Sequence, residues 1–278
     1  MSVIGSILGI PPVARAGRRA ADWIDLEWSS ALESLRRVAP RARGRLLDVG
    51  CGSKPYEAIF RPFVDSYVGV EHEATYAATN AAAAPVKADV LYDGNRLPFD
   101  DESFDTVLSV QVLEHTPRPR QLVSEMARVL RKDGILILTA PFSFRLHEEP
   151  HDYFRYTPHG LRSLCEDAGL EVEAVEPRGS LWSVVGHKVN SYLGLQVAQI
   201  GSLAQNMGKL SHEQTTATGA RLWTLPVVAP AMVGVAFWAR VLDRLLPDRT
   251  EMLGLLVIAR RKASESALPG ARPPREAA

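Results

Sequence analysis

The chain has 278 residues, enough for one large domain or for one domain with a sizeable insertion. Its 46% hydrophobic and 23% charged residues are ordinary globular composition and exclude a disordered or fibrous chain. The 32 basic and 32 acidic residues cancel, so the basic excess of a nucleic-acid binder is missing and no nucleic-acid partner is expected.

At the start, Met1–Ile10 is apolar, but Arg15, Arg18 and Arg19 follow it, which is the wrong order for a secretory signal. Ile24, Trp28, Ala31, Leu32, Leu35 and Val38 then form one apolar helical stripe, predicting a helix over 20–39 stopped by Pro40. Beyond it the period changes. Residues 45–49, 67–71, 86–89, 104–110 and 135–139 are short apolar runs, suited to strands buried on both faces of a parallel sheet. Thr116-Pro117 predicts the start of a helix through Leu122, Val123, Met126, Val129 and Leu130, with Gly134 as its stop. Thr157-Pro158 repeats the device, and Gly169 ends that helix. Residues 170–176 and 255–259 read as two further strands. Strands alternating with helices indicate a doubly wound α/β domain.

Residues 181–250 interrupt the last two strands with two uncharged runs, 189–208 and 222–239, separated by a polar loop at 211–219. They fit a buried lid or dimer helix, or a monotopic hairpin lying on a membrane surface. Trp182, Trp223, Trp238 and the basic N-terminal stretch would help the latter. The tail, 263–278, has a disordered composition. The organisation expected is therefore a helical cap (1–40), a core (41–180), the insertion (181–250), a last core strand (251–262) and the tail (263–278). Cys51 and Cys165 make no disulfide framework, and a reducing cytoplasmic compartment is expected, with peripheral attachment to the inner face of a membrane as the alternative.

The chemistry begins at Asp48-Val49-Gly50-Cys51-Gly52-Ser53, where a buried strand ends in a turn with two glycines. Glycine lets the backbone turn tightly and approach a ligand closely. Glu71 ends the next strand, 21 residues after Gly50, where a carboxylate can accept hydrogen bonds from both hydroxyls of a ribose. Asp89 is expected to end the third strand. Pro55 stands where a dinucleotide turn would carry its last glycine, and Asp48 suits a cationic, phosphate-free nucleoside such as S-adenosyl-L-methionine.

These residues resemble the class I S-adenosylmethionine-dependent methyltransferases. The likeness rests on LLDVGCGSKPY, YVGVE, KADV and the long run LPFDDESFDTVLSVQVLEHTPRPRQLVSEMARVLRKDGILILTAPF, over roughly residues 40–177 and the last strand. It is nearest to the quinone-biosynthesis-like branch acting on small molecules. Ser53 departs from the pattern, standing where many members carry a third glycine. The resemblance implies a Rossmann-like seven-stranded sheet whose last strand runs antiparallel. It also implies that Asp48, Gly50 and Gly52 line the methionine end, Glu71 holds the ribose, Asp89 and Val90 flank the adenine, and Gln111 lies under the cofactor. The activity expected is methyl transfer, to oxygen of a small-molecule or lipid-linked acceptor. The alternative is a non-catalytic S-adenosylmethionine-binding or scaffold protein of the same fold.

His147-Glu148-Glu149-Pro150-His151 matches HExxH literally, but Pro150 would break the continuous helix that a zinc protease needs, so no metal is assigned. The segment 141–156 leaves the carboxyl end of the fifth strand, dense in ionisable groups. His147 and His151 are therefore the candidate bases for the acceptor's proton, with His115 as a further one that is partly structural, orienting the cofactor side of the pocket.

Overall fold

A computed structural model describes residues 21–79, 86–199 and 225–262. The N-terminal arginines, the loop at 211–219, Trp223 and the tail lie outside the described residues. The elements are α1 (Leu26–Val38), β1 (Arg45–Val49), α2 (Glu57–Phe60), β2 (Ser66–His72), α3 (Glu73–Thr79), β3 (Val90–Tyr92), β4 (Phe104–Val110), α4 (Pro119–Val129), β5 (Leu130–Pro141), α5 (Pro158–Asp167), β6 (Leu170–Arg178), α6 (Leu181–Gln199), α7 (Leu225–Leu245) and β7 (Gly254–Arg261). The seven strands form one sheet in the order β3-β2-β1-β4-β5-β7-β6, with β7 antiparallel to both neighbours. This is the Rossmann-like methyltransferase sheet that the motifs imply.

Alternating strand residues feed two cores, because successive side chains point to opposite faces. Leu47, Val107 and Leu138 pack under α4 and α5 with Val123, Met126 and Leu161, while Leu46, Leu108 and Ile137 pack with Leu35, Val38 and Phe60. Both faces are dry, which is why these strands read as continuous apolar runs.

Four expectations shift. The helix predicted over 20–39 breaks at Asp25, whose extended backbone and side chain, accepting from Trp28 N–H at 3.1 Å, make it the N-cap of α1. The third strand is 90–92, not 86–89. Asp89 precedes it, held by hydrogen bonds from Gly69 N–H (2.7 Å) and Lys54 Nζ (2.5 Å). Helix α4 starts at Pro119 rather than at Thr116-Pro117, since the proline at 119 occupies its first turn. Gly134 does not stop that helix: the chain turns into β5 at Leu130, and Gly134 lies inside the strand.

Helices α6 and α7 clasp α1. Leu26, Val184, Ala236 and Ala239 share a small apolar cluster with Leu253. Arg240 Nη2 donates to Trp23 O (2.6 Å) and Ser29 Oγ (2.9 Å), and Asn190 Nδ2 donates to Ile24 O (3.3 Å) and Met232 O (3.1 Å). This clasp fixes where the first turn of α1 lies, beside the carboxyl ends of β1 and β4. Among the described residues no helix is long and apolar enough to cross a membrane.

Candidate active site

Strand order reverses direction at β1, which has β2 on one side and β4 on the other. In open α/β sheets ligands bind outside the carboxyl ends of strands at such a point. There the structure has a cleft of about 320 Å³, at the small end of the roughly 300–1,000 Å³ usual for ligand sites.

The glycine turn forms one wall. Gly50 and Gly52 both have left-handed backbone, at φ 72° and 49°. A Cβ on Gly50 would collide with Val112, whereas one on Gly52 would meet no atom within 4 Å and would project into open space. Gln111, also left-handed at φ 55°, lines the floor and donates from Nε2 to Glu27 Oε1 at 2.8 Å. The first turn of α1 adds Asp25, Glu27 and Trp28, with Tyr56 beside them. The far end is built by His115, Phe144, His147 and Glu148.

Of the residues singled out in the sequence, Gly50, Gly52, Gln111, His115 and His147 line this cleft. Asp48 lies beneath the turn, 1% exposed, where it accepts from Tyr67 O–H at 2.6 Å. Burial pushes its carboxyl up to about 7, against the lowering effect of that hydrogen bond. Glu71 is also buried behind the turn, accepting from Gly52 N–H (2.9 Å) and His72 N–H (3.0 Å), and burial raises it despite these bonds. Asp89 and Val90 are at the start of β3, away from the cleft lining. His151 is exposed, its Nδ1 against Tyr153 O–H at 3.1 Å.

The segment 142–157 is a loop, so the two histidines of HEEPH share no helical face. His147 is held instead by Asp152. Its backbone N–H and its Nδ1 lie 3.0 and 3.1 Å from Asp152 Oδ2. Burial, then the neighbouring His115, lowers the His147 pKa, keeping the ring neutral at pH 7. Asp152 stays ionised: despite burial, bonds from Arg155 and from His147 N–H hold it down at about 2.

The pattern of residues concealed several members of the site. Trp28 counted only as part of an apolar stripe, and Asp25 and Glu27 sit beside it in a helix far from the glycine turn in sequence. Glu27 Oε1 is bonded by the fully buried Arg178 at 2.7 Å, from the end of β6, 151 residues away. Glu114 is fully buried with neither carboxylate oxygen partnered, and burial pushes it up to about 8. The one signal that could have exposed it is its place after the apolar strand β4, where an acid has no solvent to face.

Among the described residues that line the cleft there are three carboxylates (Asp25, Glu27, Glu148), the rings of Trp28, Tyr56 and Phe144, and no lysine or arginine. Such a wall suits a cation and repels a pyrophosphate. Residues 47–138 match the family described as a methyltransferase domain. An uncharacterized methyltransferase of Mycobacterium avium (strain 104) is 44% identical over 101 residues, which are 35% of this chain and 40% of its own length. One from Mycobacterium leprae (strain Br4923) is 40% identical over 103 residues, 36% of this chain and 38% of its own. The chain thus spans about two fifths of the length of the curated relatives it matches. Among solved structures, the cyclase SpnF shares the fold at 21% identity and a TM-score of 0.51, over 85% of this chain and 83% of that one.

The cofactor of such domains, S-adenosylmethionine, fits the residues present. Its sulfonium and ammonium would meet the acidic wall of Asp25 and Glu27 beside the Trp28 ring. The open space at Gly52 leaves room for close approach to the backbone. When bound, it supplies an electrophilic methyl group on a sulfonium that leaves as a neutral thioether.

Proposed function

We propose that this protein transfers the methyl group of S-adenosylmethionine to an oxygen of a small or lipid-linked acceptor. The observation that carries the reading is that one cleft joins the glycine turn to the cluster of His115, His147 and Glu148. A cofactor at one end and an ionisable acceptor at the other would share a single cavity. Gly50, Gly52 and Gln111 contact the cofactor, with Asp48 beneath the turn, and Glu71 turns from Gly52 N–H to the ribose. Asp89 and Val90 form the adenine edge.

In the transfer, an acceptor oxygen forms its bond to the methyl carbon as the carbon–sulfur bond breaks, and sulfur keeps the electron pair. The protein aligns the two and receives the acceptor's proton. We assign that role to His147. Its Nδ1 faces two acceptors, Asp152 Oδ2 and Arg145 O (3.2 Å), so Nδ1 carries the hydrogen and Nε2 offers the lone pair. His151, turned outward onto Tyr153, is the weaker candidate. An acceptor of the quinone-like kind matches the resemblance to that branch and the Phe144 ring in the cleft lining.

A lipid-linked acceptor is favoured by the surface of α7. Val227, Val233, Phe237 and Trp238 are exposed there, with Trp238 at 60%. Exposed apolar patches of this kind mark partners or membranes, and the face would dock the protein peripherally on a membrane surface.

The test is turnover with labelled S-adenosylmethionine and a panel of phenolic and quinol acceptors. His147→Ala is expected to lose at least about tenfold in kcat with cofactor affinity within a few-fold, while His151→Ala stays near wild type. Normal turnover in His147→Ala would place the base elsewhere.

A further inference from the structure

Glu114, His115 and His147 come from two places in the chain: the short helical turn after β4 supplies the first two, and the loop after β5 supplies the third. One donor atom from each lies within 4.8 Å of the others. The rings of His115 and His147 meet edge to face with centroids 4.6 Å apart.

The hydrogen bonds around the two rings fix what they can do. His115 Nδ1 lies 2.9 Å from His151 O, and His147 Nδ1 lies near Asp152 Oδ2 and Arg145 O. Each partner can only accept, so each Nδ1 carries the hydrogen and each Nε2 presents a lone pair. Metal-ligating histidines are held in this way, with the second nitrogen donating to a carbonyl or carboxylate. Glu114 completes the set. It is 0% exposed, and neither of its oxygens has a hydrogen-bond partner. A buried carboxylate with no partner demands an explanation, and a bound ion is among the standard ones.

Distances agree. His115 Nε2 lies 3.9 Å from Glu114 Oε1 and 3.8 Å from Glu148 Oε2. These separations are too long for hydrogen bonds. Two donors each about 2.0–2.2 Å from a tetrahedral ion stand roughly 3.3–3.6 Å apart, so ligation draws these atoms together by a few tenths of an ångström.

We infer that Glu114, His115 and His147 form a binding site for a divalent first-row transition-metal ion, its remaining coordination open to water or an acceptor oxygen. Two imidazoles and a carboxylate suit zinc or its neighbours rather than calcium or magnesium. The literal HExxH is not this site: His147 is the one histidine of that motif in it, and His151 contributes only its backbone carbonyl. The site lies at the end of the cleft assigned above to the acceptor. Resting on the proposed transfer, its role there is to take an acceptor oxygen as a ligand and favour loss of its proton to water, so that the oxygen attacks as an anion. His147 is then a ligand in the metal-loaded protein and a base only in the metal-free one.

Cobalt(II) is the probe, because its visible absorption reports its ligands. The full chain, stripped with a chelator, is titrated with Co²⁺ by absorption and calorimetry. One Co²⁺ per chain is expected, with affinity lowered at least about tenfold in Glu114→Gln, in His115→Ala and in His147→Ala. His159→Ala, changing an exposed histidine on α5, should leave it unchanged. His147→Ala alters only a loop, so it remains informative if Glu114→Gln fails to fold. No saturable binding, or binding undiminished in both His147→Ala and His115→Ala, overturns the site. A chain that binds S-adenosylmethionine and transfers methyl groups but takes up no Co²⁺ removes the metal and keeps the proposed function. Specific Co²⁺ binding without transfer to any acceptor does the reverse.

Discussion

Asp48→Asn should change how stability depends on pH, by an amount that follows from the burial of Asp48. Its carboxyl sits at the end of β1 under the glycine turn, with Tyr67 O–H as donor, and burial moves it from 3.8 to about 7. Between those values the folded chain keeps a proton that the unfolded chain has released. Wild-type stability therefore falls as pH rises from 3.8 to about 7, then levels off. At about 1.4 kcal/mol for each tenfold change in proton affinity, the loss between about pH 5 and pH 8 is roughly 3 kcal/mol. For a chain of this size that is roughly 6 °C in Tm.

Asparagine keeps a carbonyl oxygen for Tyr67 O–H and has no proton to titrate. The cost of burying its amide is the same at every pH. It cancels when the variant-minus-wild-type Tm at pH 8 is compared with the same difference at pH 5. Glu114 titrates in both proteins and cancels as well, whereas Glu71, which raises Asp48 through its charge, contributes to the difference. The assay is calorimetric or circular-dichroism melting across this range. Relative to wild type, Asp48→Asn should gain roughly 6 °C on going from about pH 5 to pH 8. A Tm difference that stays constant would refute the claim that Asp48 is held protonated by burial.

Further expectations concern the cofactor wall and the outer helices. Glu71→Ala should weaken S-adenosylmethionine binding roughly 10- to 150-fold, for about 1.5–3 kcal/mol in bonds to a charged group; unchanged calorimetric affinity in a folded variant would remove Glu71 from the site. Gly50→Ala forces a methyl group into Val112 and should lower Tm more than Gly52→Ala, which carries only the left-handed backbone cost of about 1–2 kcal/mol. Gly52→Ala should instead lower cofactor affinity, and full affinity in that variant would move the ligand off the turn. Replacing both Phe237 and Trp238 by Ser should weaken sedimentation with anionic liposomes. Replacing Arg15, Arg18 and Arg19 by Gln should do so at low salt only, because surface charge is screened at high salt. Wild type that ignores liposomes at low salt would end the membrane reading.

What the sequence could determine was whatever depends on near neighbours in the chain. Strands β1 and β4 were legible to the residue because parallel strands buried on both faces leave unbroken apolar runs. The glycine turn and Glu71 were legible because a strand, a tight turn and the next strand's end recur at short, fixed spacing. The third strand was misplaced for the same reason that it is short and half-exposed: three residues at a sheet edge leave little pattern, and Asp89 just before it is held by Lys54 and by Gly69 on β2. Tertiary structure alone decided the acidic wall. Asp25, Glu27 and Trp28 reach the cleft only because α6 and α7 clasp α1 and the buried Arg178 draws in Glu27 across 151 residues of chain. The two histidines of HEEPH were likewise parted by tertiary contacts. A proline-bearing loop has no period to set side-chain direction, so Asp152 turns His147 inward to His115 and Glu114, while Tyr153 holds His151 in solvent.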